Sequence, residues 1–213
     1  MNSLSVIDIG ADQNYGEVLS LQERMHAQRK CGEIPDTLLL LEHSPVYTLG
    51  RSAKTANLLM SDAELRAAGI DKFETRRGGD VTYHGPGQLV GYPIFNLTEK
   101  GFKVLEFVEG IETVLIRAAA GFGVEAGRDP RNRGVWVGDD KLAALGIMVS
   151  RQVTMHGFAL NVNTNLSNYG GIVACGLRDA GITSLAHLLG KAVEMSAVKA
   201  VVAQAFRAVF DYR

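Results

Sequence analysis

Four short stretches of this chain concentrate the residue types that do chemistry. The densest is Arg76-Arg77-Gly78-Gly79-Asp80-Val81-Thr82-Tyr83-His84-Gly85-Pro86-Gly87-Gln88. Glycine lacks a Cβ and lets backbone approach a ligand closely. Paired glycines also leave amide N–H groups open toward a carbonyl oxygen or an oxyanion. The plainer alternative is two tight turns flanking one strand. The stretch has no Gly-Lys-Ser/Thr and no Gly-x-Gly-x-x-Gly spacing, which excludes a Walker-type phosphate loop and a dinucleotide fingerprint. The second stretch, from Gly138-Asp139-Asp140-Lys141 to Ala144-Leu145-Gly146, places a lysine directly after a turn, where a solvated charge is the ordinary outcome. The third is His156-Gly157-Phe158-Ala159-Leu160-Asn161-Val162-Asn163. The fourth, Gly170-Gly171-Ile172-Val173-Ala174-Cys175-Gly176-Leu177, sets a thiol in a glycine-rich turn. That setting suits close approach of a substrate, although a buried turn cysteine fits the same spacing. His84 reads as a general base, a ligand or a hydrogen-bonded histidine beside a turn. His43, His84, His156 and His187 show no paired metal spacing, and Cys31 and Cys175 lie far apart, so no metal is expected.

The elements that must position these stretches follow from periodicity and punctuation. Residues 6–9 read as a strand. Asp12 is expected to cap a helix carrying Val18, Leu21, Met25 and Gln28 on one face, ending near Gly32. Residues 36–43 do not alternate and read as a strand buried on both faces. Residues 46–49 continue extended. Ser61 and Glu64 form a capping box that opens a helix over 62–68, closed by Gly69. Residues 73–76 and 81–83 are extended, and 89–95 form a strand whose Pro93 implies an edge or a bulge. Residues 104–120 form an amphipathic helix with Leu105, Val108, Ile111, Leu115 and Ile116 on one side. Residues 135–149 read as a β-hairpin turning at Gly138, 153–162 as a strand, 163–176 as a loop, and 196–210 as a last helix. Strands in the middle with helices around them predict an α+β domain rather than a βαβ repeat.

Composition sets outer limits. The chain has 213 residues, 46% of them hydrophobic, which suffices for one substantial core and is read as a single domain spanning 1–213. Its net charge of -1 carries no basic footprint, so nucleic acid is not expected as the main partner. No apolar run approaches the ~20 residues of a spanning helix, and the N-terminus lacks the pattern of a signal peptide. Two cysteines without an export signal read as thiols in a reducing cytoplasm.

Taken together, the four stretches resemble the lipoyl(octanoyl) transferase family. The resemblance is carried by Arg77 through Pro93, by Leu41-Glu42-His43-Ser44-Pro45-Val46-Tyr47-Thr48-Leu49-Gly50 upstream, and downstream by Lys141 to Ile147, His156 to Asn161 and Cys175-Gly176-Leu177. It covers roughly residues 38–185, in the family's order. It implies a single α+β domain with a mixed, mostly antiparallel sheet flanked by helices, similar to the catalytic domain of biotin and lipoate–protein ligases. It also implies octanoyl transfer from octanoyl-acyl carrier protein to a lipoyl-domain lysine, the first step of protein lipoylation in endogenous lipoate biosynthesis. The acceptors would be lipoyl domains of 2-oxoacid dehydrogenase E2 subunits and the glycine cleavage H protein. No cofactor and no membrane are called for, and a cytoplasmic monomer is expected.

Residue by residue, the resemblance makes Cys175 the nucleophile and Lys141 its charged partner. The substrate pocket would be lined by Arg77, Gly78, Gly79, Asp80, Val81, Thr82, Tyr83 and His84, by Ala144, Leu145 and Gly146, and by Gly157, Phe158 and Ala159. A free thiol titrates near ~8.5, so an adjacent ammonium is what raises the thiolate fraction at neutral pH. Lys141 would then serve as base for the attacking amine. Gly78 or Gly79 N–H groups, or those at the start of the Lys141 strand, would hold the oxyanion. Gly146, Gly157 and Ala159 would open an apolar slot, and Arg51, Arg131, Arg133 and Arg151 would form a rim that steers acidic partners. Two rivals remain at this stage. One is an ATP-dependent lipoate–protein ligase, which needs no cysteine. The other is a catalytically inactive paralogue that binds lipoyl domains or a small acyl ligand, expected to lack the Lys/Cys pair.

Overall fold

The structure, a computed structural model, describes residues 3–173 and 180–212. The chain begins with β1 (Ser5–Asp8), α1 (Tyr15–Lys30), β2 (Thr37–Leu41), β3 (Val46–Leu49), α2 (Asp62–Ala68), β4 (Asp71–Glu74) and β5 (Val81–His84). It continues with β6 (Gln88–Ile94), α3 (Leu97–Lys100), α4 (Val104–Gly121), β7 (Gly127–Asp129), β8 (Asn132–Val137), β9 (Asp140–Ser150) and β10 (Val153–Asn161). It closes with β11 (Gly181–Ile182), α5 (Leu185–Leu189) and α6 (Met195–Val209). The main sheet runs β1-β2-β6-β10-β9-β8-β7, with β11 added beside β9. Only the β1–β2 and β9–β11 pairs in it are parallel. A smaller sheet, β4-β3-β5, stands apart from it. The fold is therefore α+β, with a mixed and mostly antiparallel sheet flanked by helices.

Each face of the main sheet has its own cover. Phe107, Ile111 and Leu115 of α4 and Val198, Val202 and Phe206 of α6 pack on Leu38, Leu40, Phe158 and Leu160. Val18 and Met25 of α1 pack on the opposite face, against Leu39, Leu41, Tyr92 and Ala159. The alternation of β2 between these clusters explains why its sequence does not alternate in polarity: both faces are buried. Among the described residues no helix is long and apolar enough to cross a membrane.

Several expectations meet their elements. The Ser61/Glu64 capping box and the left-handed Gly69 bound α2, and Gly138 turns the β8–β9 hairpin with φ +58°. Others are corrected. Asn14 caps α1, its side chain accepting from Gly16 and Glu17 N–H. Asp12 has φ +59° and accepts instead from the Ser44 hydroxyl at 2.8 Å. Gln28 is exposed, and Gln22, His26 and Arg29 take the buried face. In α4 the buried face is rotated: Leu105 is 55% exposed while Glu112 is buried. Glu112 goes inside because Arg128 Nε, Arg133 Nη1 and the Gly134 N–H meet its carboxylate at 2.9, 3.3 and 3.1 Å.

Pro93 is not on an edge. β6 lies between β2 and β10 and is buried throughout. The β6–β10 ladder is regular only from Gln88 to Gly91 and resumes as an isolated bridge at Asn96–Val153. In the gap, Thr154 Oγ1 donates to Pro93 O at 2.6 Å and accepts from Phe95 N at 2.9 Å. A side chain thus stands in for the ladder bonds around a residue that has no N–H.

Candidate active site

The cleft lies where the small sheet meets the edge of β9. Beyond Ala143, the edge of β9 is no longer paired with β8. The loop after β4 fills that edge: Gly78 N donates to Ile147 O at 3.1 Å. A Cβ on Gly146 would stand 2.9 Å from Gly78 O and 3.1 Å from Arg77 Cδ. Glycine at 146 is therefore required for the loop to dock. Gly157 serves a similar purpose, since its Cβ would lie 2.0 Å from Gly91 O and 2.7 Å from Pro93 Cδ. Both glycines permit close backbone contact, a different use from the expected opening of slot volume.

The cleft holds about 570 Å³ of space free of protein atoms, part of it open to solvent. Arg77, Gly79, Asp80, Val81, Thr82 and His84 line it from the loop and β5; Ala144, Leu145 and Gly146 from β9; and Gly157, Phe158 and Ala159 from β10. Gly78 and Tyr83 lie outside the lining. Gly78 spends its N–H on Ile147, which leaves Gly79 of that pair as a candidate oxyanion donor. Tyr83 packs with Tyr47 and Tyr169 beneath the small sheet and accepts from Asn168 Nδ2 at 2.7 Å. Tyr15, Tyr92, Asn132 and His156 also line the cleft and were not among the expected residues.

One wall is a connected hydrogen-bond system. Arg77 is 6% exposed and donates to Thr48 Oγ1, Thr48 O, Gly78 O and Asp80 O. Thr48 Oγ1 donates in turn toward His84 Nε2 at 3.4 Å, and His84 Nδ1 donates to Gln88 Oε1 at 2.8 Å. Gln88 Nε2 continues to Asn161 Oδ1 and Tyr169 OH, both at 3.0 Å. Burial first, then the neighbouring His43 and Arg77, hold His84 far below its usual range against the pull of the Gln88 bond, so its ring is neutral. His43 likewise sits at about 4 because of burial, donating from Nδ1 to Gln13 O and accepting the Tyr92 hydroxyl at Nε2. Burial also raises Tyr15 to about 12, keeping its hydroxyl protonated.

Lys141 is 3% exposed. Its Nζ donates to Asn132 Oδ1 at 2.8 Å and Arg133 O at 3.2 Å, and stands 4.7 Å from the centre of the Trp136 ring. Asn132 thus carries the lysine's position into the cleft lining. Room for this side chain comes from Gly134, whose φ of +144° suits glycine and whose Cβ would lie 3.2 Å from Lys141 Cε. The expected nucleophile, Cys175, lies outside the described residues. Both flanks of its segment are anchored. On one side Ile172 bridges Leu58, and Val173 N donates to Asn57 O at 2.8 Å. Asn57 Nδ2 is itself held by Asp80 Oδ2 at 2.6 Å. On the other side Ile182 pairs with Lys141, and Thr183 N donates to Lys141 O at 3.1 Å. Asp80 therefore ties the glycine-rich loop to one flank, and Lys141's own backbone holds the other.

The expected cationic rim is partly absorbed by the chain's own acids. Arg131 pairs with Asp129 and Asp139, and Arg133 with Glu109 and Glu112. Arg51 and Arg151 are exposed. Among the described residues no group of three or more His, Cys, Asp or Glu side chains could hold a metal ion.

The lipoyl protein ligase A/B catalytic domain model matches residues 14–207. An octanoyltransferase of Caldicellulosiruptor saccharolyticus is 51% identical over 198 residues, 92% of this chain and 84% of the relative. One from Alkaliphilus metalliredigens is 47% identical over 98% of this chain and 96% of its own length. Against the octanoyltransferase of Myxococcus xanthus the chain is 47% identical but spans only 60% of that relative's length. Among solved structures, a lipoate-protein ligase A bound with ATP superposes with a TM-score of 0.76 at 13% identity, covering 100% of this chain and 87% of that one. The biotin protein ligase of Aquifex aeolicus gives 0.55 at 14% identity, covering 99% and 70%. At such identities these two likenesses establish the fold.

Proposed function

Because this chain belongs to the octanoyltransferases, within the lipoyl protein ligase A/B family, we propose that it carries an octanoyl group from octanoyl-acyl carrier protein, through Cys175, to a lysine of a lipoyl domain. The acceptors are lipoyl domains of 2-oxoacid dehydrogenase E2 subunits and the glycine cleavage H protein. The chain works as a cytoplasmic monomer, its residues 1–213 forming one catalytic domain.

The Cys175 thiolate attacks the carrier's thioester carbonyl. The carbonyl electrons move to oxygen, where Gly79 N–H is a donor candidate, and collapse of the intermediate releases the carrier thiol. The acceptor amine then attacks the enzyme thioester, an amide forms and the Cys175 sulfur leaves. Lys141 first favours the thiolate as an ammonium, gives its proton to the departing carrier sulfur, and as the neutral amine then takes the proton that the attacking amine must lose. The observation that carries this reading is the buried Lys141 Nζ, joined by Asn132 to a cleft whose lining is drawn from residues 77–84, 144–146 and 157–159. The apolar part of that lining suits an alkyl chain, each buried methylene contributing about 0.8 kcal/mol.

The test is intact mass after mixing with octanoyl-acyl carrier protein in the absence of ATP. Gain of one octanoyl group, removed by hydroxylamine and absent in Cys175→Ser, is the expected result. A requirement for ATP, or acylation that survives Cys175→Ser as a thioester, would refute it.

A further inference from the structure

His156 is the cleft residue that this chemistry leaves without a task. It is 2% exposed, and among the described residues neither of its ring nitrogens has a hydrogen-bond partner. His43 and His84, packed nearby, each use both nitrogens. Buried polar groups are seldom left unsatisfied, which makes this exception a pointer to a partner that the chain does not supply.

The backbone makes the same point. His156 has φ +60° inside β10, a conformation that is costly for a residue with a Cβ. In a regular strand its side chain would share a face with Phe158 and Leu160, which pack in the core under α4 and α6. Instead its ring stands edge-on to Tyr92 at 6.4 Å, on the α1 side, and its own N–H donates to Gln22 Oε1 at 3.0 Å. Gln22 Nε2 is also without a partner. The strained backbone thus takes an imidazole out of the core layer and presents it to the cleft.

Its place in the cleft is set by strand order. His156 lies on β10, and Asn132, which holds Lys141, lies on β8. Two interstrand steps separate β10 from β8, or about 10 Å at ~4.8 Å each. An extended eight-carbon chain built from ~1.5 Å bonds spans roughly 9 Å. An octanoyl tail entering from the Lys141 end therefore ends close to the imidazole, and an oxygen on its last carbon comes within the ring's reach. Burial, with Arg77 nearby, holds His156 at about 4, so the ring is neutral and offers one donor and one acceptor. A hydroxyl group, which both donates and accepts, complements that ring.

We propose that His156, with Gln22 beside it, is a specificity-determining residue that lets the cleft take medium-chain acyl groups bearing an oxygen at the far end, in addition to plain octanoyl. This rests on the transfer reading above. The distal oxygen is a bystander. The donor's C–S bond breaks as a C–S bond to Cys175 forms, with the proton passing from the Lys141 ammonium to the departing sulfur. The amide C–N bond then replaces the enzyme's C–S bond, and the amine's proton returns to Lys141, leaving Cys175 as the thiolate.

The experiment offers the full chain an equimolar mixture of octanoyl- and 8-hydroxyoctanoyl-carrier protein and reads the ratio of the two acylated products by mass. Free 8-hydroxyoctanoate and octanoate are also titrated against the His156 ring signals by NMR. The variants are His156→Phe and His156→Asn, because asparagine tolerates a left-handed backbone and is too short to reach the oxygen. Wild type is expected to use the hydroxylated chain within about tenfold of octanoyl, with the ratio falling at least a further tenfold in both variants, about 1.4 kcal/mol. The His156 signals are expected to move with 8-hydroxyoctanoate more than with octanoate. A product ratio equal in wild type and both variants, or ring signals that ignore the hydroxyl, would overturn the proposal. If neither chain is transferred while the ring still responds selectively, the transfer reading fails and this one stands.

Discussion

The two walls of the cleft are built on opposite economies. The wall from residues 77–84 is held by a chain of hydrogen bonds running from Arg77 through Thr48 and His84 to Gln88 and Asn161. The wall from β9 and β10 is held by close backbone contact at Gly146 and Gly157, and its lining is glycine, alanine, Leu145 and Phe158, with His156 as its polar member. A wired wall fixes shape and tolerates no loss of a polar partner. A spare wall leaves space for substrate and tolerates no gain of atoms. Substitutions on the first should register mainly in unfolding free energy, and on the second in what is transferred.

The sharpest test sits at the reactive end of the spare wall. Lys141→Ala is expected to lower octanoyl transfer by about 10²–10⁴-fold, the usual contribution of a positioned acid–base group. Lys141→Arg keeps the charge and cannot act as a base, so single-turnover mass measurements should show an acyl-enzyme that accumulates and fails to pass its group on. Normal passage to the acceptor would remove Lys141 from the base role. On the wired wall, Arg77→Lys keeps the charge and loses the planar fork. It should cost about 2–3 kcal/mol in urea unfolding, since buried acceptors lose their donors. A loss below about 0.5 kcal/mol would mean that the network is not what holds that wall.

Acid should also tell the two kinds of buried histidine apart. His43 and His156 are both held at about 4, below the ordinary 6.5. The unfolded chain therefore binds more protons than the fold between those values. Stability is fully present above about pH 6.5 and falls as the pH drops toward 4, by up to ~1.4 kcal/mol per pH unit for each such group. His156→Asn should flatten that slope in urea titrations at pH 7, 6 and 5, and an undiminished slope would place its neutrality in doubt. The smallest expected effect is on chain length. Ala144 and Ala159 face each other across β9 and β10, so Ala144→Val should shift preference from octanoyl toward hexanoyl by several-fold, about 0.8 kcal/mol per excluded methylene.

Much of the fold was legible wherever local chemistry decides it. Ser61 and Glu64 announce α2, Gly69 ends it, and Gly138 turns the hairpin that sets Lys141 in place. What local pattern cannot carry is the identity of a distant partner. Leu105 reads as core by periodicity, yet α4 is rotated so that Glu112 can meet Arg128, Arg133 and the Gly134 N–H. Pro93 reads as an edge signal because nothing nearby reveals that Thr154 Oγ1 will replace its missing bonds. In the cleft, the segments rich in glycine and charge stood out, whereas Tyr15, Tyr92 and Asn132 carry no local mark. Their roles come from α1, the centre of the sheet and the bulged hairpin converging on one space. His156 lay inside a stretch already singled out, but only its left-handed backbone distinguishes it.

The pairing of Ile182 with Lys141, and of Thr183 N–H with the lysine's own carbonyl, has a bearing on how this site responds to change. The ammonium and the downstream end of the cysteine-bearing segment share one strand edge as a hinge pin. Insertions that lengthen the connection after Val173 would not shift that pin. Loosening residues 181–183 would disturb Lys141 and the proposed nucleophile together, so drift in the two halves of the proposed dyad is coupled by the peptide backbone before any side chain is involved.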